Sequence, residues 1–168
     1  MNSDPPPPDP IRRYNGGAVL FTHTMALSVG AKAPDFNVKD TSGNTVTLAS
    51  LAGQRVVMYF YPKDDTPGCT KQACSFRDNY SVYQSKGIVV LGVSQDNEAA
   101  HQAFTEKFSL PFPLLADVGG TLSKAYDVDA GGYSKRVTYA IDAAGTIVHV
   151  DEAVSTATHA NDILKVLG

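Results

Sequence analysis

The run Val56-Val57-Met58-Tyr59-Phe60-Tyr61 is apolar or aromatic at every position. It is far shorter than the roughly 20 residues a membrane span needs, and it lacks the alternation of a strand with one wet face. Residues 55–61 therefore read as a β-strand covered on both sides, the kind found in sheets with helices packed on each face. Ile88-Val89-Val90-Leu91-Gly92-Val93 is a second such run. Between the two, Ala73, Phe76, Tyr80 and Tyr83 recur at helical spacing, which predicts a helix over 70–85 with Gly87 as its C-cap. Strand, helix and strand in this order make a parallel crossover unit.

The alternation continues. A helix over 97–109 is marked by Ala100, Phe104 and Phe108, and a short one is expected over 120–126. Strands 137–141 and 146–150 flank the turn sequence Asp142-Ala143-Ala144-Gly145, and a last helix covers 156–167. Upstream, Asp40-Thr41-Ser42-Gly43-Asn44 joins two short extended pieces as a hairpin ending near Leu48. The fold class is α/β: a thioredoxin-like mixed central sheet flanked by helices, with an added N-terminal hairpin. The 168 residues suit one domain with a sizeable core.

Residues 1–24 are expected to be a disordered tail and 25–168 the folded domain. Asp4-Pro5-Pro6-Pro7-Pro8-Asp9-Pro10 lacks the amide donors of a helix or ladder. A signal-peptide reading, with Arg12-Arg13 leading and a cut after Ala31-Lys32-Ala33, is weak. Thr22, His23 and Thr24 interrupt its apolar run, and Pro34 would follow the cut.

A net charge of −3 without a basic cluster gives no footing for nucleic acid, and no stretch of eighteen apolar residues suggests a membrane helix. Two cysteines can build neither a zinc quartet nor a disulfide framework, so a reducing cytoplasm is the expected compartment. His23, His101, His149 and His159 lack zinc-ligand spacing, and no glycine-rich phosphate loop is present. Neither a metal nor a cofactor is expected. A cysteine–histidine dyad stays open on these residues alone.

The chemistry concentrates in Tyr61-Pro62-Lys63-Asp64-Asp65-Thr66-Pro67-Gly68-Cys69-Thr70-Lys71-Gln72-Ala73-Cys74. A Pro-Gly turn delivers Cys69 to the first turn of a helix, where free amides and the positive end of the dipole favour thiolate over thiol. Five residues of helix separate the Cα atoms of Cys69 and Cys74 by roughly 8.7 Å, beyond the roughly 7 Å limit for a disulfide. An intact helix forbids the bond, and forming it requires the first turns to unwind. Asp64 and Asp65 would oppose a thiolate if they pointed inward, so they are expected to face outward.

Pro62, Thr66 and Cys69 match the Pro-x-x-x-Thr-x-x-Cys signature of peroxiredoxins, and the longer run through Cys74-Ser75-Phe76-Arg77-Asp78 resembles the peroxiredoxin Q group, also called bacterioferritin comigratory protein. The resemblance spans roughly residues 27–167. It includes Gly30-Ala31-Lys32-Ala33-Pro34-Asp35-Phe36 and Arg136-Val137-Thr138-Tyr139-Ala140-Ile141-Asp142. It implies that Cys69 is the peroxidatic and Cys74 the resolving cysteine. Thr66 would hydrogen-bond the peroxide, Pro62 would shield the pocket, Arg136 would lie beside the thiolate, and amides around Gly68 and Cys69 would add donors. Arg55, Arg77 and Lys63 are rivals for the cationic role.

The implied function is a thiol peroxidase for hydrogen peroxide and small organic hydroperoxides. It would pass through a sulfenic acid and a Cys69–Cys74 disulfide, be recycled by a thioredoxin-like donor, and act as a monomer. Two alternatives are a non-enzymatic redox sensor and a thioredoxin-like disulfide reductase. The latter is disfavoured because its cysteines are separated by two residues rather than four.

Overall fold

The computed structural model describes residues 26–168, so the expected tail, and residue 25 with it, lies outside the described residues. In chain order the elements are β1 (Asn37–Lys39), β2 (Thr45–Thr47), a 3-10 turn (Ala49–Leu51), β3 (Arg55–Phe60), α1 (Pro67–Asp78), α2 (Tyr80–Ser85), β4 (Ile88–Ser94), α3 (Glu98–Phe108), β5 (Leu114–Ala116), α4 (Thr121–Ala125), β6 (Val137–Ile141), β7 (Ile147–Asp151) and α5 (His159–Leu167). β1 and β2 form a separate antiparallel hairpin, and the main sheet runs β5-β4-β3-β6-β7. β3, β4 and β5 are parallel, whereas β6 and β7 are antiparallel additions on the other side of β3. This is the mixed, thioredoxin-like sheet that the order of runs suggested.

β3 sits at the centre and is dry on both faces. Val56, Met58 and Phe60 point into one cluster with Leu91, Val93, Tyr126, Tyr139 and Ile147. Val57, Tyr59 and Tyr61 point into another with Cys69, Phe76, Phe104, Phe112 and Ile163. The period of two along a pleated strand makes this division. Each large side chain so buried contributes about 1.5–3 kcal/mol. Phe76 of α1 stacks on Tyr59 of β3 with ring centroids 4.6 Å apart, fixing the helix over the strand that precedes it.

Local chemistry sets the ends of these elements. Both hairpin turns use an aspartate: Asp40 accepts from the amides of Ser42 and Asn44, and Asp142 from those of Ala144 and Thr146. Asn97 caps α3 by accepting from Ala100, and Ser109 ends it in the left-handed conformation.

Two readings need correction. The helix expected over 70–85 is two helices broken at Asn79, whose backbone turns to φ −107°, ψ 6°. The Asn79 side-chain amide donates to the Ser75 carbonyl at 2.8 Å, taking the acceptor that its own backbone N–H would use in a continuous helix. β5 was not anticipated, because its three residues follow Pro111 and Pro113 too closely to show a period. Among the described residues, no helix is long and apolar enough to cross a membrane.

Candidate active site

Cys69 occupies the first turn of α1. Thr66 is the extended N-cap residue and Pro67 follows it, the position where a missing amide costs nothing and a fixed φ suits the helix. The Thr66 carbonyl accepts from Thr70 at 2.8 Å, closing the first turn. Its hydroxyl makes no cap bond but donates to the Lys63 carbonyl at 2.8 Å. With its only hydrogen so committed, the Thr66 oxygen keeps lone pairs for an incoming donor.

Cys69 is 1 % exposed. Arg136, immediately before β6, donates from Nη2 to Cys69 Sγ at 3.3 Å and from Nη1 to Gln72 Oε1 at 2.6 Å. One guanidinium edge is held by a neutral amide and the other faces sulfur, an arrangement suited to a thiolate. Gly68 lets the guanidinium approach, since a Cβ there would lie 3.2 Å from Nη2. Cys74 is half-buried on the same helix, and both thiols are free. With α1 continuous from Pro67 to Asp78, the reduced form has the intact helix that keeps the two sulfurs from bonding.

Two of the three rival cations are occupied elsewhere. Arg55 donates to the Lys86 carbonyl, and Arg77 pairs with Asp78 and donates to the Phe108 carbonyl. Lys63 is exposed. The buried histidines are committed as well, His101 to Asp64 and the Leu115 carbonyl, His159 to Thr138.

Comparison with known proteins gives the family. Residues 29–150 match the AhpC/TSA family model. The chain belongs to that family. The peroxiredoxin Q of Triticum aestivum, a chloroplastic protein, is 41 % identical over 145 residues, covering 84 % of this chain and 67 % of the relative. A PrxQ cysteine-to-serine variant from Xylella fastidiosa superposes with a TM-score of 0.79 at 28 % identity, over 84 % of this chain and 95 % of that one. A bacterioferritin comigratory protein of Xanthomonas campestris, whose alkyl peroxide reduction activity has been studied structurally, gives 0.77 at 31 % identity over 83 % and 97 %. Within the family the chain is a peroxiredoxin of the Q group.

Cys69 and Arg136 touch, and Thr66 lies one turn before Cys69 on the same chain segment. Pro62 lines a cleft of about 410 Å³ with Lys63, Gln95, Asp96, Gly132 and Tyr133.

Asp65 faces outward as expected, paired with Lys107 at 2.8 Å. Asp64 does not: it is only 9 % exposed, because Tyr61 and His101 take its two carboxylate oxygens. Gln72, fully buried against Arg136, was missed by sequence reasoning. Its signal was a polar residue three positions after Cys69, hence on the same helical face.

Proposed function

We propose that the chain reduces hydrogen peroxide and small organic hydroperoxides at Cys69. The observation that carries the reading is a buried cysteine in a helix first turn with an arginine Nη2 at 3.3 Å from its sulfur. The Cys69 thiolate attacks one peroxide oxygen, the O–O bond breaks, and the departing alkoxide or hydroxide takes a proton to leave as alcohol or water. Arg136 is placed to stabilise charge on sulfur and on the departing oxygen. The Thr66 oxygen accepts from the peroxide hydroxyl and holds the O–O bond in line.

The product is a Cys69 sulfenic acid. α1 then unwinds, the Cys74 thiolate attacks the sulfenic sulfur, water leaves, and a Cys69–Cys74 disulfide forms. A thioredoxin-like dithiol reduces it in two exchange steps and becomes a disulfide itself. The shielding role of Pro62 and the donor roles of the Gly68 and Cys69 amides belong to the same proposal, as does a monomer acting in the cytosol.

The test is peroxide-dependent NADPH oxidation coupled through thioredoxin and its reductase. Wild type should turn over, Cys69→Ser should be inactive, and Cys74→Ser should stop after one equivalent of peroxide. Wild type that consumes no peroxide even with dithiothreitol would overturn the reading. Oxidation should also speed amide hydrogen exchange across residues 66–76, and equal protection in both states would count against unwinding.

A further inference from the structure

The segment joining β3 to α1 is anchored to the β4–α3 unit at points the chemistry above does not use. The Asp64 amide donates to Asp96 Oδ2 at 2.9 Å, and exposed Asp65 pairs with Lys107 of α3. The Asp64 carboxylate makes the buried anchor: Tyr61 donates its hydroxyl to Oδ1, and His101 Nδ1 lies 2.6 Å from Oδ2. His101 is fully buried, with its Nε2 2.9 Å from the Leu115 carbonyl. A carbonyl only accepts, so Nε2 carries a hydrogen and a further proton lies between Nδ1 and Oδ2. Both ring nitrogens and both carboxylate oxygens thus have a partner, and a buried polar network satisfied in this way rigidifies its surroundings.

What it rigidifies is a strained piece of chain. Asp65 has φ +55°, a left-handed conformation that costs a non-glycine residue and persists only where its surroundings over-determine it. The next residue is Thr66, whose hydroxyl already bonds back to the Lys63 carbonyl within this loop.

We propose that His101 is a positioning residue for peroxide reduction. Through Asp64 it holds residues 62–66 in the shape that aims the Thr66 oxygen at the peroxide bound over Cys69. The inference rests on the peroxidase reading and adds a residue about thirty positions from the reacting sulfur. His101 makes no hydrogen bond to Cys69; its effect is on the geometry of the peroxide, while the Arg136 contact with sulfur is made independently from the residue preceding β6.

That separation gives the test. In a Cys74→Ser background, which leaves one thiol, the loss of free Cys69 is timed with hydrogen peroxide and, separately, with iodoacetamide. Alkylation needs the thiolate but not an aligned O–O bond. His101→Ala should slow the peroxide reaction at least tenfold and change alkylation less than threefold. His101→Asn, which can place an amide donor where Nδ1 lies, should recover most of the peroxide rate.

If both reactions slow together, or neither slows, or His101→Asn recovers nothing, the positioning role is wrong. Should His101→Ala fail to fold, Tyr61→Phe decides. Loss of its hydroxyl from Asp64 should lower the ratio of peroxide to alkylation rates about threefold, and an unchanged ratio overturns the proposal. A parent protein that reacts with iodoacetamide but not with peroxide would instead sink the peroxidase reading on which the inference stands.

Discussion

On the α4 side of the sheet the buried tyrosines are fully bonded. Tyr126 donates to the Pro34 carbonyl, and Tyr139 donates to the Tyr126 carbonyl while accepting from the Leu27 amide. On the α1 side, among the described residues, the Tyr59 hydroxyl and Gln72 Nε2 are buried with no hydrogen-bond partner, and His159 Nδ1 has only Asp151 Oδ2 at 3.5 Å, long for a hydrogen bond. All three lie on or against α1: Gln72 is part of it, while Tyr59 and His159 pack their rings on Phe76. An unpaired buried polar group costs about 1–3 kcal/mol. One face is therefore built to stay shut. The other carries the helix that the proposed reaction opens, over groups whose unmet hydrogen bonds would narrow the gap between closed and open.

Four measurements would break or sharpen this contrast. The largest effect should come from Arg136→Met, which removes the donor to Cys69 Sγ and should lower kcat/KM for peroxide by about 100-fold or more, by analogy with losing one transition-state donor. Circular dichroism should show the fold intact. Tyr139→Phe, on the opposite face, should leave kcat/KM within threefold, and a loss comparable to that of Arg136→Met would erase the functional distinction between the faces.

Next is acid stability. Burial holds His159 at about 4, below the ordinary 6.5. As pH falls, the unfolded chain binds this proton first, so its share of stability is intact above 6.5 and is lost between 6.5 and 4. The total is about 3 kcal/mol. Urea melts at pH 7.5, 5.5 and 4 should show the decline, and His159→Gln should flatten it; an equal slope in both proteins would assign it elsewhere.

Smaller still, Tyr139→Phe should destabilise by about 1–2 kcal/mol, because it strands the Leu27 amide and the Tyr126 carbonyl. The smallest effect is the most telling in sign. Tyr59→Phe removes an orphan hydroxyl without losing the ring, so stability should rise by up to about 1 kcal/mol, and exchange across 66–76 should slow. A destabilised Tyr59→Phe would mean that the two faces do not differ in the way described.

Much of this was legible in the sequence for physical reasons. β3 and β4 were readable because strands dry on both faces need an unbroken apolar run. The start of α1 was readable because Thr66-Pro67-Gly68 is N-terminal chemistry at short range. The arginine beside the sulfur came from a family resemblance, since nothing local distinguishes Arg136 from Arg55 or Arg77.

What stayed hidden depends on distant partners. Asp64 turns inward because His101, 37 residues later, receives it. The break at Asn79 kept the apolar stripe in phase, so no period shift betrayed it. β5 exists because β4 offers it an edge, and its three residues carry too little pattern to announce that.

Gly68 bears on how such a protein could be improved. Alanine is the better helix former by up to about 1 kcal/mol, and Gly68 lies in the first turn of α1, so Gly68→Ala is a natural candidate for a thermostability screen. The added methyl would press on Arg136 Nη2 at 3.2 Å and push the guanidinium away from the sulfur. Where the arginine yields, a firmer helix and a slower thiol would arrive in one substitution, and a library sorted by heat alone would be blind to the second.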